Sequence, residues 1–113
     1  MHKCRRGEVW FVDLDPTKNR EQGGRRPCLI VSDDNLNRTP AELAIVIPIT
    51  SKQKRIPSHV EMAPPEGGLK LRSFIKCEDV RSISTDRLIK VMGSVNRTTL
   101  DKVEERLRLL LSL

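Results

Sequence analysis

Along most of the chain, apolar side chains come in short runs of strand length, separated by clusters of Pro, Gly, Asn and Asp. Glu8 to Leu14 is rich in β-formers and stops at Asp15-Pro16, a turn signal. Cys28 to Ser32 and Leu43 to Thr50 are nearly continuous apolar runs, as expected of strands buried on both faces of a sheet. His59 to Met62, Leu69 to Lys76 and Leu88 to Met92 are further strand candidates. Between them, residues 15 to 26 read as a long functional loop and Asp33 to Pro40 as a loop with room for one helical turn. Pro64-Pro65-Glu66-Gly67-Gly68 reads as a turn. The period changes at the end of the chain. Leu100, Val103, Leu107, Leu110 and Leu111 recur at spacings of three and four, the stripe of an amphipathic helix, with Leu109 off the stripe and expected to be partly exposed. Thr98 with Asp101 resembles a capping box, with Asp in place of Glu. Many short strands followed by one helix predict a mainly β fold with a C-terminal α-helix, a small and strongly bent β-barrel. At 113 residues the chain is expected to form a single domain, 1–113, with one small core.

Composition narrows the partners. Lys and Arg number 21 against 15 Asp and Glu, a net charge of +6, and the isoelectric point is near 9.7. That balance favours a polyanion, most simply nucleic acid. No apolar run is long enough to cross a bilayer, so no membrane partner is expected. The basic start, Met1 to Gly7, lacks the apolar segment of a secretion signal. Cys4, Cys28 and Cys77 are odd in number and lack CxxC spacing, which fits a reducing cytoplasm rather than a disulfide framework or a zinc site. With only His2 and His59 present, a histidine-based metal centre is not expected, and no cofactor is implied.

The chemistry concentrates in two stretches. Glu21-Gln22-Gly23-Gly24-Arg25-Arg26-Pro27 puts a carboxylate, a carboxamide and two guanidinium groups on a glycine-hinged loop before a strand. Pro48-Ile49-Thr50-Ser51 puts two hydroxyls at the end of another. Together they can offer an acid/base group, fixed cations and neutral donors to one phosphate, enough to cleave RNA with no metal. Arg26 suits stabilisation of the extra charge on the phosphoryl oxygens, because its planar fork matches them. Proton transfer is at most a second role for Arg26, since arginine holds its proton at neutral pH. Thr50 can donate to a phosphate oxygen without giving up its proton. Glu21 can accept the 2′-OH proton or brace the loop, and Gln22 can read a base edge or hold the loop. Gly23 and Gly24 supply backbone angles that other residues resist. Ser51 is a neighbouring donor, and Lys52, Lys54 and Arg55 with Lys18, Arg20 and Arg25 can line a phosphate track for single-stranded RNA. Trp10 fits either a core or a dimer interface, and His59 reads as structural.

These residues also carry a resemblance. Arg6-Gly7-Glu8-Val9-Trp10, Asp13-Leu14-Asp15-Pro16-Thr17-Lys18, the glycine loop Glu21 to Pro27, and Ile47-Pro48-Ile49-Thr50, in that order and spacing, resemble the MazF/PemK (Kid) family, the mRNA interferases of type II toxin–antitoxin modules. The resemblance implies a CcdB/MazF-type, Src-homology-3-like barrel with its helix packed against it, assembled as a homodimer. It implies a cytoplasmic, sequence-specific, metal-independent endoribonuclease that cleaves single-stranded mRNA, arrests translation and growth, and is neutralised by an acidic antitoxin of the MazE type. Residue by residue, it places Arg26 and Thr50 at the family's catalytic arginine and threonine, and Glu21 at a carboxylate that matters in some members. Lys76 and Glu78 fall where the Kid/PemK branch has a catalytic Arg and Asp, a candidate secondary acid/base pair that keeps charge and changes geometry; the solvated ion pair is the better reading of it. The general base is left between Glu21 and Glu78. Two rivals stand beside this reading. A CcdB-like gyrase poison would be expected to end in Trp-Gly-Ile, whereas this chain ends Leu110-Leu111-Ser112-Leu113. A non-catalytic nucleic-acid-binding module explains the charge but not the pairing of the glycine loop with Thr50.

Overall fold

A computed structural model describes residues 4–17 and 23–113. Its strands are β1 (Glu8–Asp13), β2 (Arg25–Ile30), β3 (Leu43–Thr50), β4 (His59–Met62), β5 (Ser73–Lys76), β6 (Arg81–Ser84) and β7 (Leu88–Ser94). A one-turn helix α1 (Asp34–Asn37) lies between β2 and β3, and α2 (Arg97–Leu111) closes the chain. The sheet runs β4-β5-β3-β2-β1-β7, with β6 also on β3, and its neighbours are antiparallel.

The bend originates in β3. Its first half, Leu43 to Val46, pairs with β6, while Ile49 and Thr50 pair with β5. The change of partner along one strand turns the sheet over and gives it two buried faces. Val9, Leu29, Ile47, Ile49 and Ile75 share one core with Leu100 and Val103 of α2. Trp10, Val12, Cys28, Ile30 and Val46 fill the other with Cys4, Ile83 and Leu88. Consecutive residues from Cys28 to Val31 and from Ala44 to Ile47 thus point into different cores, which is why those stretches read as continuous apolar runs. The sheet is bent but not closed, so the expected barrel is an open one: β4 and β7 stand at the ends of the strand order.

Several boundaries differ from expectation. β2 begins at Arg25, not Cys28, because Arg25 and Arg26 pair with Asp13 and Val12 of β1. β5 begins at Ser73, and the preceding Leu69 to Arg72 is a connecting segment. β6 was not anticipated. The cap of α2 is Asn96, whose side chain accepts from the Thr99 amide at 2.9 Å, in place of a Thr98–Asp101 box. Leu100 and Val103 are buried and Leu109 is exposed as expected, but Leu110 and Leu111 are exposed too, because the last turns of α2 run past the core. Trp10 is a core residue, and its indole donates to Glu8 Oε1 at 3.1 Å.

Candidate active site

Two prolines shape the site. In β2 and β3, Cys28 pairs with Pro48, Leu29 with Ile47 and Ile30 with Val46. Pro27 and Pro48 bring no N–H to that ladder, and it ends where they stand. Extending its register by two residues sets Arg26 opposite Thr50. β2 stays bound to β1 through Phe11–Pro27 and Val12–Arg26, and Thr50 stays paired with Phe74 of β5. The two strands are therefore each held from outside while losing their bonds to one another, and a cavity of about 600 Å³ opens at that point.

Arg26 and Thr50 both line the cavity, with Arg25, Ser51 and Lys52. The Arg26 Nε donates to the Gly23 carbonyl at 2.9 Å, and its two Nη groups make no hydrogen bond among the described residues. The side chain is thus braced at one edge with its fork available. The Thr50 hydroxyl accepts from the Lys52 amide at 3.2 Å, which fixes the oxygen and leaves its proton to donate. The end of the glycine loop is pinned to β1: the Leu14 amide donates to the Gly24 carbonyl at 3.0 Å and the Gly24 amide to Asp15 Oδ1 at 2.9 Å. Gly24 has φ +79°, which favours glycine, and a Cβ on Gly23 would lie 2.6 Å from Thr17 Oγ1 and 2.9 Å from Asp15 Oδ1, so a side chain there would have to displace those groups.

The cavity is cationic. Arg25, Arg26, Lys52, Lys70 and Lys90 line it, and no acidic side chain does among the described residues. Arg25 is exposed and only 3.7 Å from Asp13 Oδ2, a pairing too loose to neutralise it. The apolar lining comes from Phe11, Pro27, Ile49, Leu69, Leu71 and Met92. Lys70 and Lys90, and the apolar members from β1 and β7, were not evident from sequence. They come together only through the strand register. Cys28 lies beside this site but is no nucleophile: burial pushes its thiol up to about 12, against the opposing pull of Arg26 and Arg81.

The remaining candidates divide. Lys54 and Arg55 are exposed and do not line the cavity. Lys18, Arg20, Glu21 and Gln22 lie outside the described residues. Lys76 and Glu78 do not form a pair with each other in the cavity. Lys76 Nζ binds Asp79 Oδ2 at 2.9 Å, and Glu78 binds His59 Nε2 at 2.8 Å and the Ser58 hydroxyl at 2.6 Å. Burial pushes the Glu78 carboxyl up, but hydrogen bonds from Ser58, its own backbone and His59 outweigh that and hold it below the ordinary value. A carboxylate so held is a weak base. His59 does have a partner, which the sequence did not reveal, and it serves to tie β4 to the turn after β5.

The sequence matches the family described as PemK-like, MazF-like toxin of type II toxin-antitoxin system over residues 5–111. It is 37% identical to the endoribonuclease MazF9 of Mycobacterium tuberculosis, over 96% of this chain and 97% of that one. The fold superposes on that of a MazF from Deinococcus radiodurans with a TM-score of 0.89 at 24% identity, covering both chains completely. It also superposes on a mycobacterial endoribonuclease solved in complex with its cognate antitoxin, with a TM-score of 0.78 at 26% identity, over 100% of this chain and 97% of that one.

Proposed function

The chain belongs to the PemK-like, MazF-like family of type II toxins, and from that premise we propose that it is an endoribonuclease toxin whose reaction runs through Arg26 and Thr50. The observation that carries this reading is their placement: facing positions of β2 and β3, on a cationic cavity opened where the prolines end the ladder. Cleavage proceeds by attack of the RNA 2′-oxygen on the adjacent phosphorus. The O2′–P bond forms, the P–O5′ bond breaks, and the products are a 2′,3′-cyclic phosphate and a 5′-hydroxyl that has taken up a proton from water. The Arg26 fork meets the negative charge that builds on the non-bridging oxygens, and the Thr50 hydroxyl adds a neutral donor. Glu21 is the proposed acceptor of the 2′-OH proton, because Glu78 is engaged by Ser58 and His59. Each role is electrostatic or a proton transfer between organic groups, so the reaction proceeds without a metal.

The substrate is single-stranded mRNA, for which the cavity's cations, with Ser51, Lys52 and the exposed Lys54 and Arg55, would offer a basic track. The toxin acts in the cytoplasm, as a homodimer joined in part by the exposed leucines of α2 from Leu109 onward. An acidic antitoxin tail neutralises it by competing for the same cations. The gyrase-poison and binding-module readings are set aside with the family assignment.

The test is incubation of the purified protein with a long RNA in EDTA. Discrete fragments with 5′-hydroxyl ends are expected, and Arg26→Ala protein should form them about 10² to 10³ times more slowly. Retardation without cleavage by the parent protein would overturn the reading.

A further inference from the structure

Across the cavity from Arg26 and Thr50, two lysines remain without a role. Lys90 sits on β7 opposite Phe11 of β1, Phe11 opposite Pro27 of β2, and the β2–β3 register continues the row to Ile49. One cross-strand row thus has Lys90 at one end and the proline gap at the other. Lys70 reaches the same cavity from a different element. It follows the single-turn 3-10 segment Glu66–Gly68, which docks directly on β7. At Gly68 (φ +71°) a Cβ would stand 1.9 Å from the Met92 carbonyl oxygen, so only glycine lets this turn seat there. The docking brings Leu69, Lys70 and Leu71 to the cavity wall beside β7. Lys70 and Lys90 are both exposed, and neither makes an ion pair among the described residues. Two like charges on one cavity, with no acidic side chain lining it among the described residues, favour an anion.

We infer that Lys70 and Lys90 form a second phosphate subsite, which holds a phosphate flanking the scissile one while a nucleotide lies over the Phe11 and Pro27 floor. The inference rests on the endoribonuclease reading and specifies how that site grips its substrate. The choice of cation fits the task. The scissile phosphate meets a planar guanidinium fork, where geometry decides the rate, whereas the flanking phosphate needs charge without strict direction, which an ammonium on a flexible stem supplies. The lysines therefore contribute to binding in ground and transition states alike, so their loss acts on KM and leaves kcat in place.

The experiment is the Lys70→Gln/Lys90→Gln double variant, read in two ways. Affinity for a single-stranded RNA, measured in the cleavage-dead Arg26→Ala background over a range of salt, should fall, and the slope of log K against log salt should shrink by about 0.7 for each lysine. In the Arg26 background, KM should rise about five- to tenfold with kcat changed by less than about twofold. Lys102→Gln, on the exposed side of α2, is the charge control and should leave both readings unchanged. Cleavage by the parent with an unaltered KM and salt slope in the double variant overturns this inference alone. A double variant that loses kcat rather than affinity also overturns it, since the lysines would then act on the reacting phosphate. A parent that neither binds nor cuts RNA overturns the endoribonuclease reading together with it.

Discussion

The cavity rim and the turn that follows β5 carry similar side chains and use them in opposite ways. At the turn, charged groups are engaged by protein partners: Lys76 is bound by Asp79, and Glu78 is bound by His59 and Ser58. At the rim, Arg26 is braced through Nε alone, Arg25 is loosely paired, and Lys52, Lys70 and Lys90 have no ion-pair partner among the described residues. Folding satisfies the first set of charges and, among the described residues, leaves the second for a ligand. A basic and acidic cluster in sequence is therefore a functional candidate only where the fold withholds its counter-charges.

The largest effect that would break this contrast concerns Arg26. Arg26→Ala should lower kcat by about 10² to 10³ while the protein stays folded, and Arg26→Lys should restore little because the fork is lost. Single-turnover cleavage with a circular dichroism melt separates the two outcomes. Thr50→Ala should cost about 10² in kcat and Thr50→Ser only a few-fold, because the hydroxyl survives. Full rates in both Arg26→Ala and Thr50→Ala would place the chemistry elsewhere.

The opposite pattern is expected at the turn. Glu78→Gln should change the cleavage rate by less than about threefold but reduce stability by about 1 kcal/mol, since Ser58 and the buried His59 lose a charged acceptor. Its acid dependence has a definite sign. The Glu78 carboxyl is held below its ordinary value when folded, so its contribution is fully present above about pH 4.3 and disappears as pH falls through the folded value. Thermal midpoints of parent and Glu78→Gln proteins should therefore differ near neutrality and converge in acid. A gap that widens on acidification would contradict the assignment. The smallest expected effect is at Cys28: with its thiol pushed up to about 12 and its side chain fully buried, iodoacetamide near neutral pH should leave cleavage unchanged.

Legibility in the sequence followed the same division. β1 and β3 were readable because apolar residues occupied most positions, β4 because Val60 and Met62 alternate with His59 and Glu61, and α2 because its stripe had helical spacing. β6 was missed because Arg81-Ser82-Ile83-Ser84 carries one buried apolar residue, and only its pairing with β3 makes it a strand. The start of β2 is hidden in the sequence because two arginines look like loop, although their partners on β1 hold them in register. Arg26 and Thr50 stood out because a glycine loop and a strand end marked them. Phe11, Lys70 and Lys90 carried no such mark. Their meeting depends on the β1–β7 register and on the Gly68 contact with Met92, both long-range facts of the fold.

The central claim is that the protein cuts RNA by using the substrate's own 2′-oxygen at the Arg26–Thr50 cavity. Its most direct test is a matched pair of oligonucleotides in EDTA, identical except that one has a single 2′-deoxy nucleotide at the mapped cleavage position. The account predicts that both bind with similar affinity, that the all-ribose strand is cut to a 2′,3′-cyclic phosphate, and that the substituted strand stays intact at that position. Cleavage of the substituted strand at a comparable rate would contradict it.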